Sequence, residues 1–185
     1  MNDQVESLQQ QILELKKKLN EARQSAADEP VNDYTLKNTD GSDVTLSSLF
    51  GERSDLLVVH NMGKGCSYCT LWADGFVGLN EHLNDRAAFV LCSYDEPATV
   101  KEFAESRGWP FRCVSNAGSE FASNMGFVKD DKPWPGVSAF HKNDDGSIVR
   151  TGRSFFGPGD DFCATWSFLD LLKGGPGEWQ PKFSY

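Results

Sequence analysis

Two short apolar runs constrain this chain most. Residues 55–60 read DLLVVH and residues 87–93 read AAFVLCS. Each has strand length and is rich in Leu, Val or Phe with almost no polar alternation, the pattern of a strand covered on both faces. Between them, residues 67–83 place Trp72, Phe76, Leu79 and Leu83 on one helical face, with Gly75 and Gly78 as local weak points. Strand, helix and strand at these lengths predict a βαβ unit, with parallel strands joined by a right-handed crossover.

The rest of the chain extends that unit. Pro97 opens a further helix at its first turn, Val100, Phe103 and Ala104 face inward, and Gly108 closes it. A short strand is expected at 111–114 and a short helix at 119–125. Residues 34–36 and 44–46 flank Asn38-Thr39-Asp40-Gly41, and residues 137–141 and 148–151 flank Asn143-Asp144-Asp145-Gly146. Both are hairpin signals. A last helix is expected over 161–173, with Phe162, Trp166, Leu169 and Leu172 on one face. The order predicts an α/β domain with a mixed central sheet and helices on both faces. The thioredoxin fold has that order, and an extra N-terminal hairpin is the kind that peroxiredoxin-like members carry.

Residues 1–27 differ in character. Val5, Leu8, Ile12, Leu15, Leu19, Ala22 and Ala26 are spaced 3, 4, 3, 4, 3, 4, which is a heptad seam on one helix. The division is therefore a heptad helix at 1–27 and one domain at 28–185, joined by a linker at 28–32. The seam has two open uses: packing on its own domain, or a homodimer arm. In a parallel dimer Lys18 would face Arg23, which is repulsive.

Charge and cysteine count exclude several classes. The net charge is −9, which disfavours nucleic acid and anionic membrane surfaces as partners. No apolar run approaches the roughly 18 residues of a bilayer span, and no apolar segment follows the acidic N-terminus as a secretory signal requires. Five cysteines without such a signal do not read as a disulfide framework. The expectation is a reduced, cytoplasmic protein.

Chemistry concentrates in Cys66-Ser67-Tyr68-Cys69, where a strand gives way to a helix. The leading cysteine of such a pair meets unpaired N–H groups and the positive end of the helix dipole, which stabilise a thiolate. Cys66 is then the attacking thiol and Cys69 the resolving one. Lys64 adds positive potential, and Gly63 and Gly65 leave Cys66 uncrowded. No second CxxC exists and His60, His82 and His141 have no metal-ligand spacing, so no metal is expected. No motif asks for a cofactor. His60, six residues before Cys66, is read either as a proton carrier for the resolving cysteine or as a core histidine. Trp134, Pro135 and Gly136 are the candidate substrate aperture. A cis peptide at Pro135 follows from fold analogy, and an ordinary trans loop is the alternative. Cys92 and Cys113 read as core residues, and Cys163 as packing or a distant resolving thiol. The run from Phe155 to Asp161 is explained by turns and a helix cap.

His60-Asn61-Met62-Gly63, Cys66 to Cys69, Leu71-Trp72-Ala73-Asp74-Gly75-Phe76, Pro135-Gly136-Val137-Ser138 and Phe156-Gly157-Pro158-Gly159-Asp160 resemble the signature of a bacterial thioredoxin-like family catalogued as a domain of unknown function. The resemblance implies a thioredoxin-like fold close to the alkyl hydroperoxide reductase and thiol-specific antioxidant group. It implies no substrate. Relatives often carry Cys-Pro-Tyr-Cys, and here Ser67 replaces the proline.

Three functions follow as expectations. The first is a thiol–disulfide oxidoreductase acting on protein or small-molecule thiols and disulfides. The second is a thiol peroxidase, with Arg150 or Arg153 near the thiolate. The Pro-x-x-x-Thr-x-x-Cys pattern of peroxiredoxins is missing, because residues 61–65 read NMGKG. The third is a non-catalytic binding or dimerisation protein.

Overall fold

The computed structural model describes residues 3–185. The first two residues of the heptad segment lie outside the described residues. From Asp3 the segment is one helix, α1 (Asp3–Ser25), and none of its residues is buried. Residues 28–32, expected as linker, contain a strand, β1 (Glu29–Val31). It pairs with a distant strand, a contact that no local pattern announces. The first hairpin is β2 (Thr35–Asn38) and β3 (Asp43–Thr45), followed by a single turn of helix, α2 (Leu46–Leu49).

The βαβ unit forms as expected. β4 (Asp55–Asn61) lies parallel to β5 (Ala88–Ser93), pairing Leu56 with Ala88 through Asn61 with Ser93. The intervening helix is divided into α3 (Ser67–Phe76), a 3-10 turn at Val77–Leu79 and α4 (Asn80–Arg86). The break falls at Gly75 and Gly78, the two weak helix formers. Next come α5 (Pro97–Arg107) and β6 (Arg112–Ser115), which is parallel to β5. Gly108 caps α5 in the left-handed conformation at φ 65°.

After α6 (Phe121–Asn124) the chain makes a small hairpin that the sequence does not announce, β7 (Val128–Lys129) and β8 (Lys132–Pro133). Its turn residues Asp130 and Asp131 both have positive φ, 51° and 57°. β9 (Gly136–Lys142) and β10 (Ile148–Phe155) form the second long hairpin, with a register shift between Arg150 and Gly152. The last helix, α7, is Ala164–Asp170, shorter than the expected 161–173. Of the face assigned to it only Trp166 is buried, while Phe162 and Leu172 are exposed. Helix beyond Asp170 would have nothing to pack against.

The eight-stranded sheet runs β1-β10-β9-β4-β5-β6-β2-β3. α2 and α6 cover one face over Leu36, Val58, Val90, Phe127 and Phe140. α3 and α7 cover the other over Val59, Leu91, Phe89 and Phe156. This is the thioredoxin-like architecture the sequence predicts, with the site at the end of the central strand β4. Close packing there requires Gly136: a Cβ at this position would lie 2.3 Å from the Ser154 carbonyl oxygen and 2.4 Å from the Phe127 ring. No helix among the described residues is long and apolar enough to cross a membrane.

Candidate active site

The end of β4 and the first turn of α3 build the site. Asn61, the last residue of β4, is buried and its Oδ1 accepts the Gly63 N–H at 2.7 Å. From the end of the neighbouring strand, Asp95 accepts the Lys64 N–H at 2.6 Å. The Cys66 N–H donates to the Gly63 carbonyl at 3.1 Å. The loop is thus held on both sides before the helix begins. Gly63 has φ +108°, and a Cβ on it would sit 2.7 Å from Asp95 Oδ1. Gly63→Ala is expected to lower stability by about 1.5 kcal/mol through both effects. Urea denaturation checks it: an unchanged midpoint would mean that the loop relaxes freely.

Cys66 is the N-cap of α3. Its Sγ accepts the Cys69 N–H at 3.0 Å, and its carbonyl accepts the Thr70 hydroxyl at 3.0 Å. Cys66 is half-buried and Cys69 is 2% exposed, and both are free thiols. The two thiols are held in opposite states. The Cys69 side chain beside it, with the Cys69 and Tyr68 backbone N–H groups, lowers the Cys66 thiol to about 7, against burial. The Cys66 side chain, together with burial, raises the Cys69 thiol far above its ordinary value.

Cys66 opens into a groove of about 660 Å³ lined by Met62, Tyr68, Trp72, Trp134, Pro135 and Phe156. Lys132 supplies its only charged side chain among the described residues. Trp134 is 42% exposed. Its N–H donates to Phe127 O at 2.8 Å, and the Pro135 carbonyl accepts from the Phe156 N–H at 3.0 Å. All peptide bonds among the described residues are trans. Of the two readings at Pro135, the ordinary trans loop is the one the structure has, and it brings Pro135 to the groove. Gly136 lies behind the aperture, buried at the start of β9.

His60 is placed elsewhere. Successive residues of a strand face opposite sides. Val59 belongs to the layer under α3, and His60 points into the layer under α6. Its ring stacks on Phe127 at 3.8 Å between centroids and 12° between planes, and Nε2 contacts Ser138 Oγ at 3.0 Å. Burial, with Arg150 adding repulsion, pushes its pKa down to about 3. The structure thus brings Cys66, Cys69, Trp134 and Pro135 together and sets His60 in the opposite core. Cys92 is buried in that same core layer. Cys163 packs among Trp72, Phe156 and Trp166.

Two arginines considered for a peroxide site are engaged away from the groove. Arg150 is 7% exposed, pairs with Glu29 and donates to the Met125 carbonyl at 2.7 Å. Arg153 lies over the Phe155 ring at 5.5 Å. No group of three His, Cys, Asp or Glu residues among the described residues could hold a metal ion. The sequence reading missed Asp95, Tyr68 and Phe156 as parts of the site. Their signal was positional: ligand sites in α/β sheets gather beyond the C-terminal ends of parallel strands, and Asp95 follows β5 there.

A family model described as "Bacterial protein of unknown function (DUF899)" matches residues 7–184. No curated protein matches the chain. Among solved structures, peroxidoxin BcpB from Mycobacterium tuberculosis is similar with a TM-score of 0.55 and 22% identity, covering 65% of this chain and 80% of that one. An uncharacterized conserved protein from Geobacillus kaustophilus is similar with a TM-score of 0.54 and 19% identity, covering 85% and 87%. The C-terminal domain of a candidate thiol–disulfide oxidoreductase from Bacteroides thetaiotaomicron gives 0.53 and 18%, covering 72% and 90%. These likenesses establish a thioredoxin-like fold.

Proposed function

The chain belongs to the bacterial DUF899 family, and we propose that it is a thiol–disulfide oxidoreductase with Cys66 as nucleophile and Cys69 as resolving thiol. One observation carries this reading: at the start of α3 the N–H of the buried Cys69 donates to Cys66, whose sulfur faces an open apolar groove. In the reaction the Cys66 thiolate attacks one sulfur of a substrate disulfide. The substrate S–S bond breaks, a Cys66–substrate disulfide forms, and the departing thiolate takes a proton. Cys69 then gives up its proton and attacks Cys66 Sγ. The second substrate thiolate leaves, and Cys66–Cys69 holds the disulfide. Two electrons pass to the substrate, and an external dithiol returns them.

The groove supports exchange over peroxide chemistry. Among the described residues, no arginine and no threonine lines it. Its apolar walls suit a disulfide flanked by apolar groups, with Trp134 and Pro135 beside the substrate. His60 has no part in this proton traffic. The test is a titration in glutathione or dithiothreitol redox buffers, with alkylation and mass spectrometry at each point. A single two-electron transition of the Cys66–Cys69 pair supports the proposal, and independent oxidation of the two thiols sinks it.

The pH dependence follows from the lowered Cys66 thiol. With a pKa of about 7 against an ordinary 9.0, Cys66 alkylation is expected to rise through a midpoint near pH 7. Below it the rate falls about tenfold per pH unit, because only the thiolate reacts. Cys69 is expected to stay unlabelled across the same range. Iodoacetamide kinetics checks this, and a midpoint near 9 would remove the basis for activation.

A further inference from the structure

The groove at Cys66 has aromatic walls and a volume of about 660 Å³, the size of a small-molecule site. Its rim has little main-chain hydrogen-bonding capacity to offer. A peptide is held on an open strand edge, where unpaired N–H and C=O groups form a row. Here Pro133, Pro135 and Pro158 line the groove and have no N–H. The N–H of Trp134 donates to the Phe127 carbonyl at 2.8 Å, that of Phe156 to the Pro135 carbonyl at 3.0 Å, and that of Cys66 to the Gly63 carbonyl at 3.1 Å. Gly157 donates to Asp160 Oδ2 at 2.9 Å, and its carbonyl accepts the Asp160 N–H at 3.0 Å. An extended chain laid along this rim would give up water at its own amides and find few partners in exchange.

Charge at the groove has one sign. Lys132 lines it and is exposed. Its ammonium forms no ion pair among the described residues. Asp170 and Glu178 line an adjoining pocket, which shares Tyr68 and Pro158 with the groove. An anionic end is therefore drawn to Lys132 and repelled on the far side of Tyr68.

On the reading of Cys66 and Cys69 as an exchanging pair, we infer that the substrate is a low-molecular-weight disulfide with an apolar body and a carboxylate end, not a protein chain. The body lies against Trp72, Trp134 and Phe156, and the carboxylate faces Lys132. Cys66 Sγ bonds to one substrate sulfur and the substrate S–S bond breaks. Cys69 then closes on Cys66 Sγ, and its proton and that of the solution leave with the two small thiols. The two electrons come from the Cys66–Cys69 dithiol.

The test is the rate at which the reduced full chain is oxidised by a panel of disulfides, read by acid quench and mass spectrometry. Each rate is divided by that of mercaptoethanol with the same probe, which removes differences in intrinsic reactivity. Dithiodihexanoic acid is expected to react about tenfold faster than dithiodipropionic acid, whose arms are three methylenes shorter. It is expected to react about threefold faster than its own diamide. Glutathione disulfide and the disulfide-linked dimer of a neutral pentapeptide are expected to fall below dithiodihexanoic acid. In Lys132→Met the acid and the diamide are expected to converge, while the preference for the longer arm remains. Equal normalised rates across the panel overturn the inference. So does a peptide disulfide that reacts fastest, or an acid preference that survives Lys132→Met. In those cases Cys66–Cys69 still forms and the exchange reading stands. If no probe yields a Cys66–Cys69 disulfide, the exchange reading falls and the inference falls with it.

Discussion

Cys66→Ser is expected to abolish disulfide exchange while leaving the fold intact, a loss of about 10³-fold or more, because an alcohol supplies no thiolate nucleophile at neutral pH. The contrast between activity and stability is what makes this variant informative. Cys66 caps α3 through its sulfur, which accepts the Cys69 N–H. Serine is among the preferred N-cap residues, so its hydroxyl accepts the same bond. Cys66 is only half-buried, and no cavity of consequence forms. The melting temperature should therefore stay within a few degrees of the wild type. Full activity in this variant would exclude Cys66 as nucleophile, and a collapsed melting curve would show that the sulfur is structural.

The partner substitution separates the two roles. Cys69→Ser keeps a hydroxyl donor beside Cys66, so the Cys66 thiolate still forms and attacks. Resolution then fails, and the covalent Cys66–substrate species is expected to accumulate to about one equivalent, visible as a mass addition that reductant removes. Cys66→Ser gives no such species under the same conditions. The asymmetry reflects burial: Cys66 opens on the groove, whereas Cys69 is 2% exposed and is not among the residues that line it.

The sequence made the centre of this molecule legible and its margins much less so. Strands β4 and β5 are continuous apolar runs, and the CxxC falls at the one strand-to-helix junction where a thiolate gains most from the helix start. β1, β7 and β8 are two or three residues long. Pro30 and Pro133 sit in two of them, and long-range pairing alone holds β1 to β10. No local pattern encodes such strands. The spacing of Leu169 and Leu172 continues a helical pattern past the end of α7, where no surface waits beneath Leu172. The side on which His60 lies was hidden for a different reason. β4 is apolar on both faces, so alternation fixes that His60 and Val59 point apart but not which of them meets α3.

That placement of His60 has a measurable consequence. Its ring is 1% exposed, stacked on Phe127, with Nδ1 unpartnered among the described residues. Charging it there is costly, and its pKa falls from 6.5 to about 3. A base whose folded pKa is depressed binds fewer protons folded than unfolded between those two values. Stability then rises with pH across that window and is lost as the pH falls below 6.5. From pH 7 to pH 5 the loss is about 2 kcal/mol. The carboxylates held below their ordinary value, such as Asp55, contribute only at lower pH, where the unfolded chain begins to protonate them. His60→Gln keeps a polar group within reach of Ser138 and cannot titrate. Urea denaturation at pH 7 and pH 5 is expected to show the extra 2 kcal/mol loss in the wild type and not in the variant, whatever the variant's own stability at pH 7. Equal losses in both proteins would mean that the imidazole reaches solvent or a proton acceptor. In that case His60 would return as a candidate proton carrier for Cys69.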